Sequence, residues 1–330
     1  MKCAVVGSGA WGTALASVLA ANSHDVTMWA HERDVADAIN TRHENPRFLP
    51  DVALAVTIRA SADIASALRG AGLVVLAAPS HVLRRVARAA AAFAEAGAPV
   101  VVATKGIEHE TFALMTDVAG AELPGRPVVA LSGPSFAAEV AMRLPTAIVA
   151  ASRDAAAAAR VQALFSLPSF RVYTHDDVTG VELGGALKNV MAVATGISDG
   201  LELGYNARAA LITRGLAEIT RLGARLGAAQ ATFAGLAGIG DLVLTCTGAL
   251  SRNRAVGIEV GRGRSLDEAL AGRETVAEGV ATTRSAHALA GREGVEMPIV
   301  AAVHRVLFEG QSARHALAAL MTRELRGEAD

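Results

Sequence analysis

The glycines of Gly7-Ser8-Gly9-Ala10-Trp11-Gly12 stand directly between the apolar run Lys2 to Val6 and the alanine-rich stretch Ala10 to Ala20. In that position a G-x-G-x-x-G commits the chain to strand, tight turn and helix, because each glycine answers a separate steric demand. Gly7 permits the turn, Gly9 lets the backbone approach a pyrophosphate, and Gly12 allows the helix to pack closely on the strand. The helix N-terminus, with Ala10 and Trp11 in its first turn, presents amide donors and positive potential to that anion. The spacing therefore predicts a dinucleotide-binding β-α-β unit at the start of the chain.

The pattern continues. Short β-branched runs alternate with alanine-rich amphipathic segments, which predicts strands and helices wound around a parallel sheet. The expected strands are Lys2 to Val6, Val26 to Trp29, Leu73 to Ala77, Val100 to Ala103, Val128 to Leu131, Ala147 to Ala150 and Phe170 to Tyr173. Helices are expected over Ala10 to Ala20, Asp34 to Ile39, His81 to Ala94 and Asp154 to Phe165. After about Asp177 β-branched runs become rare, and long helical periodicity takes over, with glycine breaks at Gly200, Gly204, Gly235, Gly238 and Gly240. The expected fold class is α/β: a Rossmann-type dinucleotide-binding domain over residues 1–177 and a mainly α-helical domain over residues 178–330, in which the terminal stretch from Arg323 frays. A length of 330 residues suits two domains at about 150 residues each.

Composition narrows the function classes. A net charge of −1 provides no field for gathering nucleic acid or an acidic membrane surface, so an anionic substrate needs a local set of donors. Cys3 and Cys246, the only cysteines, exclude a disulfide framework or a site of several thiolates, and no metal site is expected. The uncharged stretch Cys3 to Ser23 has the outline of an export signal, but its glycines break the greasy helix that such a signal needs. No later segment offers about 18 uninterrupted apolar residues. The expectation is a cytoplasmic protein without stable membrane insertion.

Only Lys2, Lys105 and Lys188 are lysines among 31 Lys plus Arg. Arginine holds nearly every solvated cationic position, so Lys105 and Lys188 point to places where losing a proton matters, which a guanidinium cannot do, whereas Lys2, beside the start of a strand, reads as chance retention. Lys105 follows the expected strand Val100 to Ala103, at the edge where ligands bind open α/β sheets. Leu131-Ser-Gly133-Pro-Ser135 follows the next strand similarly; small residues and free amides there suit a ligand or an ordinary turn. In Glu182-Leu-Gly184-Gly185-Ala-Leu-Lys188-Asn189 the helical period puts Gly184 and Lys188 on one face. A glycine in a helix costs about 1 kcal/mol against alanine, so close approach of a ligand or another backbone is expected there.

Ser251-Arg252-Asn253 offers hydroxyl, guanidinium and amide donors in succession, which suits a phosphate or, alternatively, a helix cap beside solvated arginines. Cofactor choice falls after the second strand, at Trp29-Ala30-His31-Glu32-Arg33. Glu32 suits the ribose hydroxyls of NAD, whereas His31 and Arg33 suit the 2′-phosphate of NADP; the reading leans to NADP with NAD retained.

These blocks, with Asn45-Pro-Arg-Phe-Leu-Pro50, Ala103-Thr-Lys-Gly106, Ser132-Gly-Pro-Ser-Phe-Ala-Ala-Glu-Val140, Leu144-Pro-Thr-Ala147, Gly204 to Gly215, Gly235 to Leu242 and Thr275-Val-Ala-Glu-Gly-Val280, resemble the bacterial NAD(P)-dependent glycerol-3-phosphate dehydrogenase family. The resemblance runs over nearly the whole chain. It implies interconversion of sn-glycerol 3-phosphate and dihydroxyacetone phosphate, supplying phospholipid synthesis. It further implies that Lys188 is the acid/base and that Lys105, Gly133, Ser135, Lys188, Asp241, Ser251, Arg252 and Asn253 bind this phosphorylated small molecule. Trp11, Arg33, Lys105, Ala137, Arg252, Val276 and Glu278 are implied near the cofactor. Asp241 is expected to accept from a substrate hydroxyl or to hold a lysine. A homodimer is expected through the alanine-rich second domain. The rival readings are a two-domain hydroxy-acid dehydrogenase, whose substrates carry a carboxylate, and a nucleotide sensor that performs no chemistry.

Overall fold

The computed structural model describes residues 1–272, 276–325 and 327. Thr275, in the last of the resembling blocks, and residues 326 and 328–330 of the expected frayed terminus lie outside the described residues. Ten strands are described: β1 (Lys2–Val6), β2 (Asp25–Trp29), β3 (Glu44–Asn45), β4 (Leu49–Ala53), β5 (Arg59–Ser61), β6 (Leu73–Leu76), β7 (Val100–Val102), β8 (Val128–Ser132), β9 (Thr146–Ala151) and β10 (Phe170–His175). Eight form one sheet in the order β10-β9-β8-β7-β6-β1-β2-β5, and β3 pairs with β4 separately.

Side chains alternate across this sheet, as the pleat demands. Cys3 and Val5 of β1 point into one apolar cluster while Ala4 and Val6 point into the other. Both faces are covered, so the central strands read as unbroken apolar runs. From β1 the chain moves outward to β2 and β5, then crosses back to β6 on the opposite side of β1. This is the switch point at which open α/β sheets take ligands. Register aligns the carboxyl ends: Val6 is level with Trp29 and Leu76, Leu76 with Val102, and Val102 with Ala130. The loops carrying Gly7, Ser80, Lys105 and Gly133 therefore leave the sheet along one edge.

All seven expected strands are present, but the sheet is not uniformly parallel. β8 and β9 run antiparallel, and β10 follows β9. The link between β8 and β9 contains only the short helix Ala137–Ala141, too little to carry the chain back along the sheet as a parallel crossover requires. The strands β3, β4 and β5 were not expected. They are short and partly polar, and side chains hold them: Asn40 clasps Ala60 through both ends of its amide, at 2.8 and 2.9 Å.

Among the described residues no strand follows β10. The helix Val178–Gly200 starts from the Asp177 cap and is buried continuously from Gly180 to Ser198. A helix buried on all sides needs partners all round, and here glycines set how close they come. A Cβ on Gly196 would lie 2.2 Å from the Arg254 carbonyl oxygen, and one on Gly257 2.2 Å from that of Val193. Gly200 and Gly261 repeat the arrangement one turn on. The helix Arg252–Gly261 therefore crosses this central helix backbone to backbone. At its end, Asp199 pairs with Arg208 at 2.6 Å and Arg254 at 2.7 Å. Glu182 ties the helical part to the sheet domain, accepting from the Thr116 amide at 2.9 Å and from the Thr116 hydroxyl. Burial pushes its carboxyl up to about 7, against those two bonds. Among the described residues no single helix is long and apolar enough to cross a membrane.

Candidate active site

Three side chains from three separate elements meet at the seam between sheet and central helix. Lys105 arrives from the loop after β7, Lys188 from the middle of the central helix, and Asp241 from the first position of the helix Asp241–Thr247. Asp241 is fully buried, and its two oxygens accept separately: Oδ1 from Lys188 Nζ at 2.5 Å and Oδ2 from Lys105 Nζ at 2.6 Å. Lys188 also donates to Thr245 Oγ1 at 2.9 Å, and Lys105 to the Gly133 carbonyl oxygen at 3.0 Å. Of the two roles foreseen for Asp241, it holds a lysine, and in fact it holds both. One carboxylate between two ammonium groups leaves a net positive charge in a buried place. Burial lowers the Lys188 pKa to about 8; the charge of Asp241 opposes the fall and that of Lys105 adds to it.

Glycine makes this meeting possible. A Cβ on Gly184 would lie 2.3 Å from the Ala237 carbonyl oxygen, so the segment Leu236–Gly240 lies directly on the central helix and delivers Asp241 to Lys188. A Cβ on Gly185 would come within 2.5 Å of Ser132 Oγ and 3.5 Å of the Lys105 side chain. The neighbouring glycines thus serve two contacts, one with a backbone and one with the Lys105 side chain. Gly133 has φ +132°, and a Cβ there would sit 3.0 Å from Ile148. Ser135 Oγ donates to the same Gly133 carbonyl oxygen at 2.9 Å.

At the mouth of the helical half, Ser251 caps the helix Arg252–Gly261 by accepting from the Arg254 amide. Asn253 is oriented by an obligate donor: the Gly279 amide gives to its Oδ1 at 2.9 Å, so its Nδ2 gives to Asn189 Oδ1 at 2.8 Å. This ties the neighbours of Arg252, Lys188 and Glu278 into one chain. Arg252 itself is exposed and makes no hydrogen bond or ion pair among the described residues. Glu278 opens the helix Glu278–Glu293 and accepts from the Ser80 amide at 3.1 Å and from the Ser80 hydroxyl.

The loop after β1 fits a dinucleotide. A Cβ on Gly7 would lie 2.8 Å from the Ala77 carbonyl group, and one on Gly12 2.1 Å from the Gly7 oxygen, whereas one on Gly9 would meet nothing within 4 Å. Gly7 and Gly12 are required by packing; Gly9 faces open space at the N-terminus of the helix Ala10–Ala21. Asn45 braces this loop, donating to the Ser8 carbonyl oxygen at 2.7 Å and to Thr13 Oγ1 at 2.8 Å. Trp11 is half-buried, with its indole nitrogen unpartnered among the described residues. His31 and Arg33 are exposed beyond β2, Val276 is exposed, and Ala137 is half-buried at a helix start. Among the described residues no hydrogen bond or ion pair joins these last four to the lysine cluster.

Sequence reasoning gave no role to Thr245 or Ser80. Thr245 was within reach, since it stands four residues after Asp241 on one helical face. Ser80 was not, because its partner is 198 residues away.

Residues 2–158 match the model of the N-terminal part, and residues 177–318 that of the C-terminal part, of NAD-dependent glycerol-3-phosphate dehydrogenase. The glycerol-3-phosphate dehydrogenase [NAD(P)+] of Geobacter sulfurreducens is 53% identical over 330 residues, spanning 99% of this chain and 98% of that protein. The protein of the same name from Myxococcus xanthus is 52% identical over 99% of both chains. A crystal structure of glycerol-3-phosphate dehydrogenase from Coxiella burnetii superposes with a TM-score of 0.94 at 41% identity, covering 98% of this chain and 99% of the other. With two matched family models and such relatives along its length, the chain belongs to the NAD(P)-dependent glycerol-3-phosphate dehydrogenase family.

Proposed function

We infer that the chain interconverts sn-glycerol 3-phosphate and dihydroxyacetone phosphate with NAD(P), the activity of its family, and that it supplies glycerol 3-phosphate for phospholipid synthesis. The observation that carries the mechanism is the Lys105–Asp241–Lys188 bridge. When bound in the cleft, the nicotinamide supplies or receives the hydride. In the reducing direction negative charge grows on the substrate carbonyl oxygen. Lys188 as ammonium stabilises that charge and gives it a proton; in the oxidising direction the same nitrogen, neutral, removes the proton. Lys105 orients the substrate oxygen from the sheet side. Asp241 keeps both amines aimed, and Thr245 fixes the third side of Lys188.

The phosphate is held by Arg252, whose fork can take two oxygens. Ser251 accepts one bond as a cap and retains its hydroxyl proton, and Asn253 retains one amide proton, so both can donate as well. Gly133 and Ser135 line the substrate side. Anchoring the phosphate turns remote binding energy into placement of the reacting carbon. Gly7, Gly9, Ala10, Trp11 and Gly12 hold the pyrophosphate; Lys105, Ala137, Arg252, Val276 and Glu278 lie along the rest of the cofactor. His31 and Arg33 favour NADP, so Arg33→Ala should lower the NADPH to NADH ratio of catalytic efficiency about tenfold. In this reading residues 1–177 form the dinucleotide-binding domain, which also lends Lys105, Gly133 and Ser135 to the substrate, and residues 178–330 the substrate-binding and catalytic domain, which lends Arg252, Val276 and Glu278 to the cofactor, in a cytoplasmic homodimer whose mass sedimentation reports.

Assaying dihydroxyacetone phosphate beside hydroxy acids with NADPH tests the assignment. Turnover of dihydroxyacetone phosphate alone supports it. Turnover of a carboxylate substrate alone would transfer the chain to the hydroxy-acid enzymes, and NADPH binding without turnover would make it a sensor.

A further inference from the structure

Two staples of the same design join the helical half to the sheet half. In each, a glutamate of the helical half accepts from both the backbone amide and the side-chain hydroxyl of one residue at the start of a helix in the sheet half. Glu182 takes Thr116 of the helix Met115–Glu122, and Glu278 takes Ser80 of the single turn Ser80–Val82. Their surroundings differ. Glu182 is 8% exposed, far enough inside to act as fixed joinery, whereas Glu278 is only half-buried. Ser80 leaves the end of β6, the strand beside β1 at the switch point, and Gly106 presses on it: a Cβ at Gly106 would lie 2.6 Å from Ser80 Cβ and 3.9 Å from Glu278 Oε2. Gly106 follows Lys105. The second staple therefore stands against the loop that carries Lys105.

We propose that Ser80 is a positioning residue for the dinucleotide: its hydroxyl and amide fix the Glu278 carboxylate over the cofactor cleft, so that the sheet half sets the aim of an acceptor contributed by the helical half. The inference rests on the functional reading above, which places the cofactor in this cleft. A free glutamate at a helix start samples several rotamers, and ordering it on binding costs affinity. With two donors already on its oxygens, Glu278 meets the cofactor pre-ordered, and its remaining lone pairs accept from hydroxyl or amide groups of the ligand. The bond to Ser80 does its work in binding the cofactor, not in moving the proton.

The test is NADPH titration, followed by its fluorescence, together with steady-state kinetics for Ser80→Ala, Glu278→Ala and the double variant. Ser80→Ala should raise Kd and KM for NADPH by up to about tenfold, the cost of ordering a freed Glu278 side chain on binding. Its kcat at saturation and its KM for dihydroxyacetone phosphate should stay within about twofold. In the Glu278→Ala background the second change should add nothing. Ser80→Cys, which keeps the volume and weakens the donor, should fall between wild type and Ser80→Ala, and serves if the alanine variant does not fold. Unchanged NADPH affinity in a folded Ser80 variant overturns the proposal, as do independent, multiplying losses in the double variant. A fall of kcat and of thermal stability together with a rise of both KM values would reduce Ser80 to a structural role and overturn it as well. If the wild-type protein binds NADPH but turns over no dihydroxyacetone phosphate, the functional reading fails while the binding comparison still decides the role of Ser80.

Discussion

Glycine is used in opposite ways in the two halves of this molecule. In the loop after β1, Gly9 leaves a space that nothing in the protein fills, at the mouth of a helix. In the central helix, Gly184, Gly196 and Gly200 leave spaces that other backbones fill to within 2.2–2.3 Å of where a Cβ would stand. The first use makes room for a ligand. The second builds the protein, drawing in the segments that carry Asp241, Ser251 and Arg252, and it offsets the roughly 1 kcal/mol that each glycine costs a helix. A glycine cluster is therefore no sign of a ligand by itself; what its missing side chain faces decides.

Three sets of measurements would break or sharpen that contrast. The largest effect is expected at the chemistry of the helical half. Lys188→Ala should lower kcat about 10³-fold while NADPH binding at the glycine loop persists, which titration beside turnover would read. Loss of NADPH binding in that variant would mean that the halves do not divide the work as described.

Next come matched glycine substitutions. Gly257→Val should cost about 3 kcal/mol of stability by overpacking the helix crossing, seen as a lower urea midpoint. Gly9→Val should leave the midpoint unchanged and raise KM for NADPH by roughly tenfold or more. A midpoint that falls equally in both would remove the distinction between open and filled glycines.

The smallest effect is the pH dependence. On the acid/base role proposed for Lys188, charged to reduce and neutral to oxidise, kcat/KM should fall above about pH 8 in the reducing direction and rise toward about pH 8 in the oxidising one. A reductive profile flat from pH 7 to 10 would exclude Lys188 as the proton donor, those limits being about one to two units either side of its pKa.

Much of this was legible before any coordinates. β1, β6 and β7 read as unbroken apolar runs because both faces of the sheet are covered, and Lys105 and Lys188 stood out against a background of arginine. The short strands β3 to β5 escaped, since particular partners such as Asn40, which holds the Ala60 backbone, fix them and not periodicity. The reversal at β9 escaped too, because a buried strand has the same apolar signature in either direction. At Ser251 to Asn253 both alternatives proved real: Ser251 is a helix cap, and Arg252 stands exposed beside it.

The sequence alone determined the β-α-β start, the change from sheet to helix near Asp177, and the candidate amines, because each is written in neighbours a few residues apart. Only the tertiary structure decided that Asp241 serves both lysines, that Gly184 admits a backbone, and that Ser80 and Thr116 are stapled by Glu278 and Glu182. Those pairings span 53 to 198 residues. At such separations a contact is fixed by how packed elements cross, and no local propensity records it.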